Sequence, residues 1–324
     1  MKKEKVLIIK TGYSEVLHNE YDSRKTSKGD VLRTTTILHL FKNGIKNDHV
    51  TWVTDESAIP LLAGNKFIDR LLSLDWITAE QLKQEQFDTI INLEKIPGIC
   101  VLADSIKAWK RYGFRSENKE GEIKAEAHNH AFEVLSVSSD LQTKKQNLKT
   151  TQELLFEMLG EKWKGEEYIL GYQPKSEEIY DIGLNTKIGA KWPTKAWPVE
   201  NWNKLKELLE KDNLKVSRDE TAINGIKATE GDLYHYMDWI NSCKLIVSND
   251  SLGLHLAIAL KKKAIGLFGS TFPQEVFFYG RGRVILPEKT FSCLHCYSPK
   301  CTNNEFCMEY ISPERVYNEI KSLL

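Results

Sequence analysis

The amino-acid sequence predicts an α/β protein of two Rossmann-like parallel-sheet domains, and three observations carry that expectation. The chain has 324 residues, more than one ordinary core takes up, and suits two domains of about 150 residues each. Short apolar runs alternate with stretches of helical periodicity, the mark of βαβ units and a parallel sheet. The alternation comes in two series, separated from about Arg115 to Gly160 by a polar, helix-favouring stretch in which strand signals stop. Two domains, residues 1–174 and 175–324, are therefore expected to face each other across a cleft.

Each element follows from its residues. Val6–Ile9 is a short apolar run after a basic start; it reads as a buried first strand and is too short for the core of a signal peptide. Val31–Lys42 has apolar residues at Val31, Leu32, Ile37, Leu38 and Phe41, close to helical spacing, and should form the first crossover helix. His49–Thr54, Arg70–Leu74 and Thr89–Asn92 supply the next strands, and amphipathic Thr151–Leu159 closes the first half. Near Pro174 a second series opens: strand Tyr180–Leu184, helix Val199–Leu209, strand Leu245–Ser248, helix Gly253–Leu260, strand Ala264–Phe268, then a terminal helix. No repeat of fixed period and no low-complexity linker interrupts it.

Composition narrows the function. Lys+Arg and Asp+Glu balance at 45 each, which removes the strong positive field of a dedicated nucleic-acid binder, so nucleic acid is not an expected partner. Hydrophobic residues make up 41% and charged residues 28%, so no long stretch is expected to be disordered. No run approaches the roughly 18 apolar residues that span a bilayer. A soluble, cytoplasmic protein is expected, with peripheral contact at the inner face of a membrane left open. Thiols stay reduced there, which turns a cysteine cluster towards metal rather than disulfides.

Four segments could carry chemistry. In Lys28-Gly29-Asp30-Val31-Leu32 an acid stands at the entrance to a crossover helix, outside a strand end where ligands bind in open α/β sheets. Asp30 reads either as the helix N-cap or as a carboxylate that takes a proton from an attacking hydroxyl, and the two roles can coexist. The second segment, Asn249-Asp250-Ser251-Leu252-Gly253-Leu254-His255, follows a buried strand and opens a helix of small apolar residues. Backbone N–H groups at such a start suit a diphosphate; the alternatives are capping by Asp250 or Ser251 and a satisfied, partly buried His255. In the third, Gly189–Pro198, Lys191 or Lys195 could offset charge on a departing diphosphate, or be an ordinary solvated lysine. No G-x-G-x-x-G follows the first strand, which reads Lys10-Thr11-Gly12-Tyr13, and no P-loop occurs, so nicotinamide chemistry is disfavoured.

The fourth segment is Cys293-Leu294-His295-Cys296 with Cys301 and Cys307, a C-x2-C-x4-C-x5-C set. Four such thiolates can enclose one tetrahedral zinc or iron ion, with free thiols or a conditional disulfide as the alternatives. With four protein ligands the site would be closed and structural. Cys100 and Cys243 stand alone and read as core residues.

Read together, these segments resemble glycosyltransferase family 9, the heptosyltransferase family, over nearly the whole chain. The resemblance is carried by Gly29-Asp30-Val31-Leu32, Trp52–Glu56 with Pro60–Asn65, Lys195-Ala196-Trp197-Pro198, Asn249–His255 and Leu267–Thr271. The Cys-x2-Cys loop leading to Cys307-Met308 is similar to a tail in part of the family, including members that glycosylate proteins and hold iron there. The resemblance implies a GT-B architecture and inverting transfer with no catalytic metal. It places the acceptor on the N-terminal domain and a nucleotide diphosphate sugar, ADP-heptose foremost, on the C-terminal one. Asp30 would be the general base and Lys195 would face the donor phosphates. Lys191, Asn249, Asp250, Ser251, Gly253, Leu254, His255 and Thr271 would line the donor pocket. The acceptor would be a saccharide or glycolipid, as in lipopolysaccharide core or another surface glycan. Another nucleotide sugar, a protein hydroxyl acceptor or a non-catalytic nucleotide-sugar-binding scaffold remain the other readings.

Two departures stand out. Gly12–Lys28 replaces a short family loop and carries Arg24, Lys25 and Lys28, which read either as a solvated face or as contacts to an anionic acceptor. Leu252 stands where the family often has glycine and Gly253 where it often has proline, which bears on how the turn holds phosphates.

Overall fold

The apolar run at the N-terminus becomes a central strand, β1 (Lys5–Ile9), with Val6 to Ile9 fully buried. In the computed structural model, which describes residues 3–13, 26–128, 130–189, 192–219, 222–223, 226–227 and 231–324, the chain divides into two units, Met1–Tyr172 and Gln173–Leu324.

In the first unit β2 (His49–Thr54), β3 (Arg70–Ser73), β4 (Gln86–Asn92), β5 (Lys107–Lys119) and β6 (Glu122–Ala127) join β1 in the order β3-β2-β1-β4-β5-β6. All pairings are parallel except that of β5 with β6. Helices α1 (Lys28–Thr34), α2 (Ile59–Leu62), α3 (Trp76–Gln84), α4 (Pro97–Ser105), α5 (Phe132–Ser139), α6 (Leu141–Gln146) and α7 (Thr151–Met158) complete it. Leu7, Ile9, Val53 and Ile90 from the sheet pack with Leu82 of α3 and Ile99, Leu102 and Ala103 of α4.

Two expectations are corrected here. The single crossover helix over Val31–Lys42 is α1 followed by a 3-10 turn, Thr35–Leu40. Thr34, Thr35 and Thr36 each return a hydroxyl hydrogen bond to a carbonyl three or four residues back, and such back-bonding by β-branched residues competes with the regular helix. Strand signals do not stop at Arg115, because β5 runs to Lys119 and turns back as β6. This hairpin is largely solvated, so it lacks the apolar alternation that marks a half-buried strand.

In the second unit β7 (Tyr180–Asn185), β8 (Val216–Arg218), β11 (Cys243–Asn249), β12 (Lys263–Leu267) and β13 (Gly282–Ile285) form a parallel sheet in the order β13-β12-β11-β7-β8. A separate two-stranded ladder pairs β9 (Ala222–Ile223) with β10 (Ile226–Lys227). Helix α8 (Val199–Lys211) places Trp202, Leu205 and Leu209, and α11 (Pro313–Leu323) places Val316 and Ile320, on Ile182, Leu184, Leu245, Val247 and Leu267. Helices α9 (Leu233–Asn241) and α10 (Leu252–Ala259) pack beside β11, and Gly253 to Ile258 of α10 are buried.

Each sheet has one place where strand order reverses: between β1 and β4 in the first unit, and between β7 and β11 in the second. Outside the carboxyl ends of those strands is where an open parallel sheet binds ligands.

Candidate functional site

At the reversal point of the first unit the loop after β1 is built on a buried charge. Glu94, just beyond β4 and fully buried, accepts the backbone N–H groups of Thr11 and Gly12, both at 2.7 Å. Lys10 Nζ lies 3.5 Å from the same carboxylate and is itself buried. A buried carboxylate is tolerated because two amide donors and an ammonium compensate its lost hydration. Gly12 then accepts Ser27 N–H at 2.8 Å, so the chain that leaves after Tyr13 is tied back at its return. Asp55 accepts the Tyr13 hydroxyl and a hydrogen bond from Thr26. Burial would raise the Asp55 carboxyl, but bonds from Ser57, Tyr13 and Thr26 hold it below the usual carboxylate range. Burial and Asp55 together push the Tyr13 phenol up.

Asp30 is the third residue of α1, and Ser27, not Asp30, occupies the N-cap position. The capping alternative for Asp30 is thereby overturned. Its carboxylate accepts the Ser27 hydroxyl and pairs with Arg33 one turn on, with 14% of the side chain exposed. Lys28 is the first residue of the same helix and half-buried. Arg24 and Lys25 lie outside the described residues.

In the second unit Asp250 is the node. One carboxylate oxygen, Oδ2, accepts Lys195 Nζ and Thr271 Oγ1, each at 2.7 Å. Burial alone would raise this carboxyl, but the Lys195 ammonium, His255 and the Thr271 hydroxyl hold it at about 2. Lys195 is therefore not an ordinary solvated lysine: 17% of its side chain is exposed and its ammonium is committed to Asp250. Asp250 does not cap α10; the N-cap is Ser251, whose hydroxyl accepts Asn185 Nδ2 at 2.9 Å rather than a helix N–H. Asn249 uses both ends of its amide, accepting Trp197 N–H at 3.0 Å and donating to Thr186 O at 3.1 Å, which ties the Lys195 loop to the end of β7. His255 is buried in the first turns of α10. Leu254 is fully buried, and Thr271 nearly so. Lys191 lies outside the described residues.

A close approach fixes where α10 begins. A Cβ on Gly253 would lie 2.4 Å from both Asn185 Nδ2 and the Tyr236 hydroxyl, so only glycine lets the helix start reach β7. Tyr236 in turn donates to Asn185 Oδ1. The helix thus directs its first-turn backbone and the positive end of its dipole to the side of Asp250, an arrangement suited to phosphate. Sequence reasoning missed Glu94, Lys10, Asn185 and Tyr236. No local motif marks them, since each acquires its role from strand neighbours far along the chain. The clue available was position alone: Lys10 directly follows β1, Glu94 lies two residues past β4, and Asn185 ends β7.

All six cysteines are free, and Cys100 and Cys243 are buried as expected. Burial first, then the Cys296, Cys293 and Cys301 thiols, push the Cys307 thiol up to about 11. Asn303 donates to Cys293 Sγ at 2.7 Å. Among the described residues, however, no group of three or more His, Cys, Asp or Glu side chains is gathered as a metal site. No helix among them is long and apolar enough to cross a membrane.

Residues 76–306 match the family model of glycosyltransferase family 9 (heptosyltransferase). Lipooligosaccharide heptosyltransferase 2 of Campylobacter jejuni is 26% identical over 124 residues, 37% of this chain and 36% of that protein; the chain thus spans about a third of that relative. Lipopolysaccharide heptosyltransferase 1 of Campylobacter coli is 22% identical over 93% of this chain and 97% of its own length. Among solved structures, E. coli heptosyltransferase WaaC with ADP-2-deoxy-2-fluoro heptose superposes with a TM-score of 0.62 at 17% identity, covering 99% of this chain and 100% of that one. The iron-containing dodecameric glycosyltransferase TibC of enterotoxigenic E. coli gives 0.59 at 11% identity, covering 99% and 76%. At these identities the structural likeness establishes the two-sheet GT-B fold.

Proposed function

The chain belongs to glycosyltransferase family 9, and from that premise we propose that it transfers heptose from ADP-heptose, with inversion, to a saccharide acceptor of lipopolysaccharide core or another surface glycan, working in the cytoplasm. The observation that carries this reading is the Asp250 node, where Lys195 and Thr271 converge on one carboxylate oxygen beside the start of α10. Names of relatives supply the sugar and the nucleotide: the Campylobacter proteins are heptosyltransferases, and WaaC was solved with an ADP-heptose analogue.

In this reaction the acceptor hydroxyl oxygen bonds to the anomeric carbon while the bond from that carbon to the ADP oxygen breaks. Asp30 takes the hydroxyl proton, its carboxylate held ready by Ser27 and Arg33. Charge left on the ADP is met by Lys195 and by the N–H groups at the start of α10. Lys28, with Arg24 and Lys25, would hold an anionic acceptor. A binding screen tests the donor: ADP-sugars should bind and UDP- or GDP-sugars should not, and the reverse ranking overturns the proposal.

The cysteine set takes a structural role in the same reading. Four soft donors within fifteen residues of chain suit zinc or iron, and the TibC likeness makes iron as good a candidate as zinc. No step of transfer passes through that ion. Elemental analysis of purified protein should find about one ion per chain, lost on Cys296→Ser; a folded, metal-free protein removes this assignment.

A further inference from the structure

The cysteine loop does more in this fold than follow the last strand. After β12 the chain makes the turn Gly269-Ser270-Thr271, whose Thr271 hydroxyl reaches Asp250. The segment within and just after the C-x2-C pair lies along the other side of that turn. His295 N–H donates to Gly269 O at 3.0 Å, and Tyr297 N–H donates to Ser270 O at 2.8 Å. His295 Nδ1 lies 2.8 Å from Thr271 O, and since a carbonyl only accepts, Nδ1 carries the proton there. The Tyr297 hydroxyl accepts Phe272 N–H at 3.0 Å and donates to Glu275 at 2.8 Å. One residue on, Ser298 O accepts the Thr194 hydroxyl at 2.5 Å, immediately before Lys195.

Two further features show that this contact is specified. His295 and Tyr297 both adopt left-handed backbone, at φ 60° and 50°, a conformation that non-glycine residues keep only where surrounding bonds dictate it. A Cβ on Gly269 would lie 2.5 Å from Met308 Sδ and 2.9 Å from Cys307 Sγ, so the turn is pressed onto the cysteine loop as closely as glycine allows. Thr271 and Lys195, the two groups that meet on Asp250, are thus each braced by the same four-residue stretch, His295 to Ser298.

We propose that His295 and Tyr297 are positioning residues of the donor site, His295 holding Thr271 directly, Tyr297 holding its neighbours Ser270 and Phe272, and the same segment holding Lys195 through Ser298 and Thr194, in the arrangement that binds the donor diphosphate. This rests on the donor reading of the Asp250 node. It gives the cysteine loop a part in donor binding as well as in stability, so that whatever fixes the thiols also fixes the node.

The test uses the full chain, ADP as the probe for calorimetric titration, and steady-state kinetics well below the melting temperature. Tyr297→Phe removes the acceptor of Phe272 N–H, and about five- to tenfold weaker ADP binding and an equal rise in donor KM are expected. Its kcat and acceptor KM should stay within about twofold, a split that a merely structural role would not produce. Thr194→Val, which cuts the link to Ser298, should weaken ADP in the same way and serves if Tyr297→Phe fails to fold. Lys195→Ala is the reference. If it loses ADP binding while both other variants bind like wild type, the positioning roles are wrong and the donor site stands. If Lys195→Ala binds ADP unchanged, the donor site itself is misassigned and the proposal falls with it.

Discussion

Asp30 and Asp250 sit at comparable depth, with 14% and 13% of their side chains exposed, yet they are held by opposite means. The partners of Asp30, Ser27 and Arg33, lie three residues away on either side. Asp250 is held by Lys195, 55 residues earlier, and Thr271, 21 residues later. A local setting forms with its own helix turn, whereas a non-local one exists only once the sheet has brought three loops together. The acid of the first unit can therefore be altered almost alone. Altering the node of the second disturbs the fold that assembles it.

The largest expected effect breaks the comparison at its local end. Asp30→Asn should lower turnover by roughly 10²- to 10⁴-fold, with ADP affinity and melting temperature nearly unchanged; retained turnover removes Asp30 as the base. Lys195→Met should cost roughly 10²- to 10³-fold in kcat. Because it leaves a buried carboxylate unpaired, it should also cost roughly 3 kcal/mol in urea unfolding. A stability loss no larger than that of Asp30→Asn would erase the contrast between the two acids. Glu94→Gln sharpens it, since Glu94 anchors the strand end from which the Asp30 turn departs; a loss of roughly 2 kcal/mol is expected with donor affinity unaltered. A comparable effect is expected in acid. A carboxyl whose folded value lies at about 2, below its ordinary 3.8, contributes stability that is complete above that ordinary value and lost as pH falls from about 4 to 2. About 2 kcal/mol should disappear over that window in the native protein and not in Asp250→Asn.

What the sequence disclosed follows the same division. Strands β1, β2, β3, β4, β7, β11 and β12 are legible as short runs between turns and helices, and His49–Thr54 matches to the residue. The turn at Asp30 and the cassette at Asp250 are legible because their residue types are contiguous. Glu94, Asn185 and Tyr236 are not, because nothing near Glu94 in the chain says that β4 lies against β1 with Asn92 opposite Ile9. The β5–β6 hairpin turns on Glu120 and Gly121, both at positive φ, and Glu-Gly is a weaker turn signal than Asn-Gly or Asp-Gly. The polar strands on either side hid it. The capping expectations for Asp30 and Asp250 failed for a physical reason, since side-chain partners outcompete helix N–H groups for both carboxylates.

That polar hairpin also settles how the first sheet ends. Among the described residues β6 is the terminal strand on its side, and along it Glu122, Lys124 and Glu126 alternate in charge, with Glu126 paired to Lys119 and Glu122 to Lys124. An approaching strand from another molecule would have to strip water from that row of charges before gaining its first backbone bond. The edge therefore discourages the sheet from growing by adding copies.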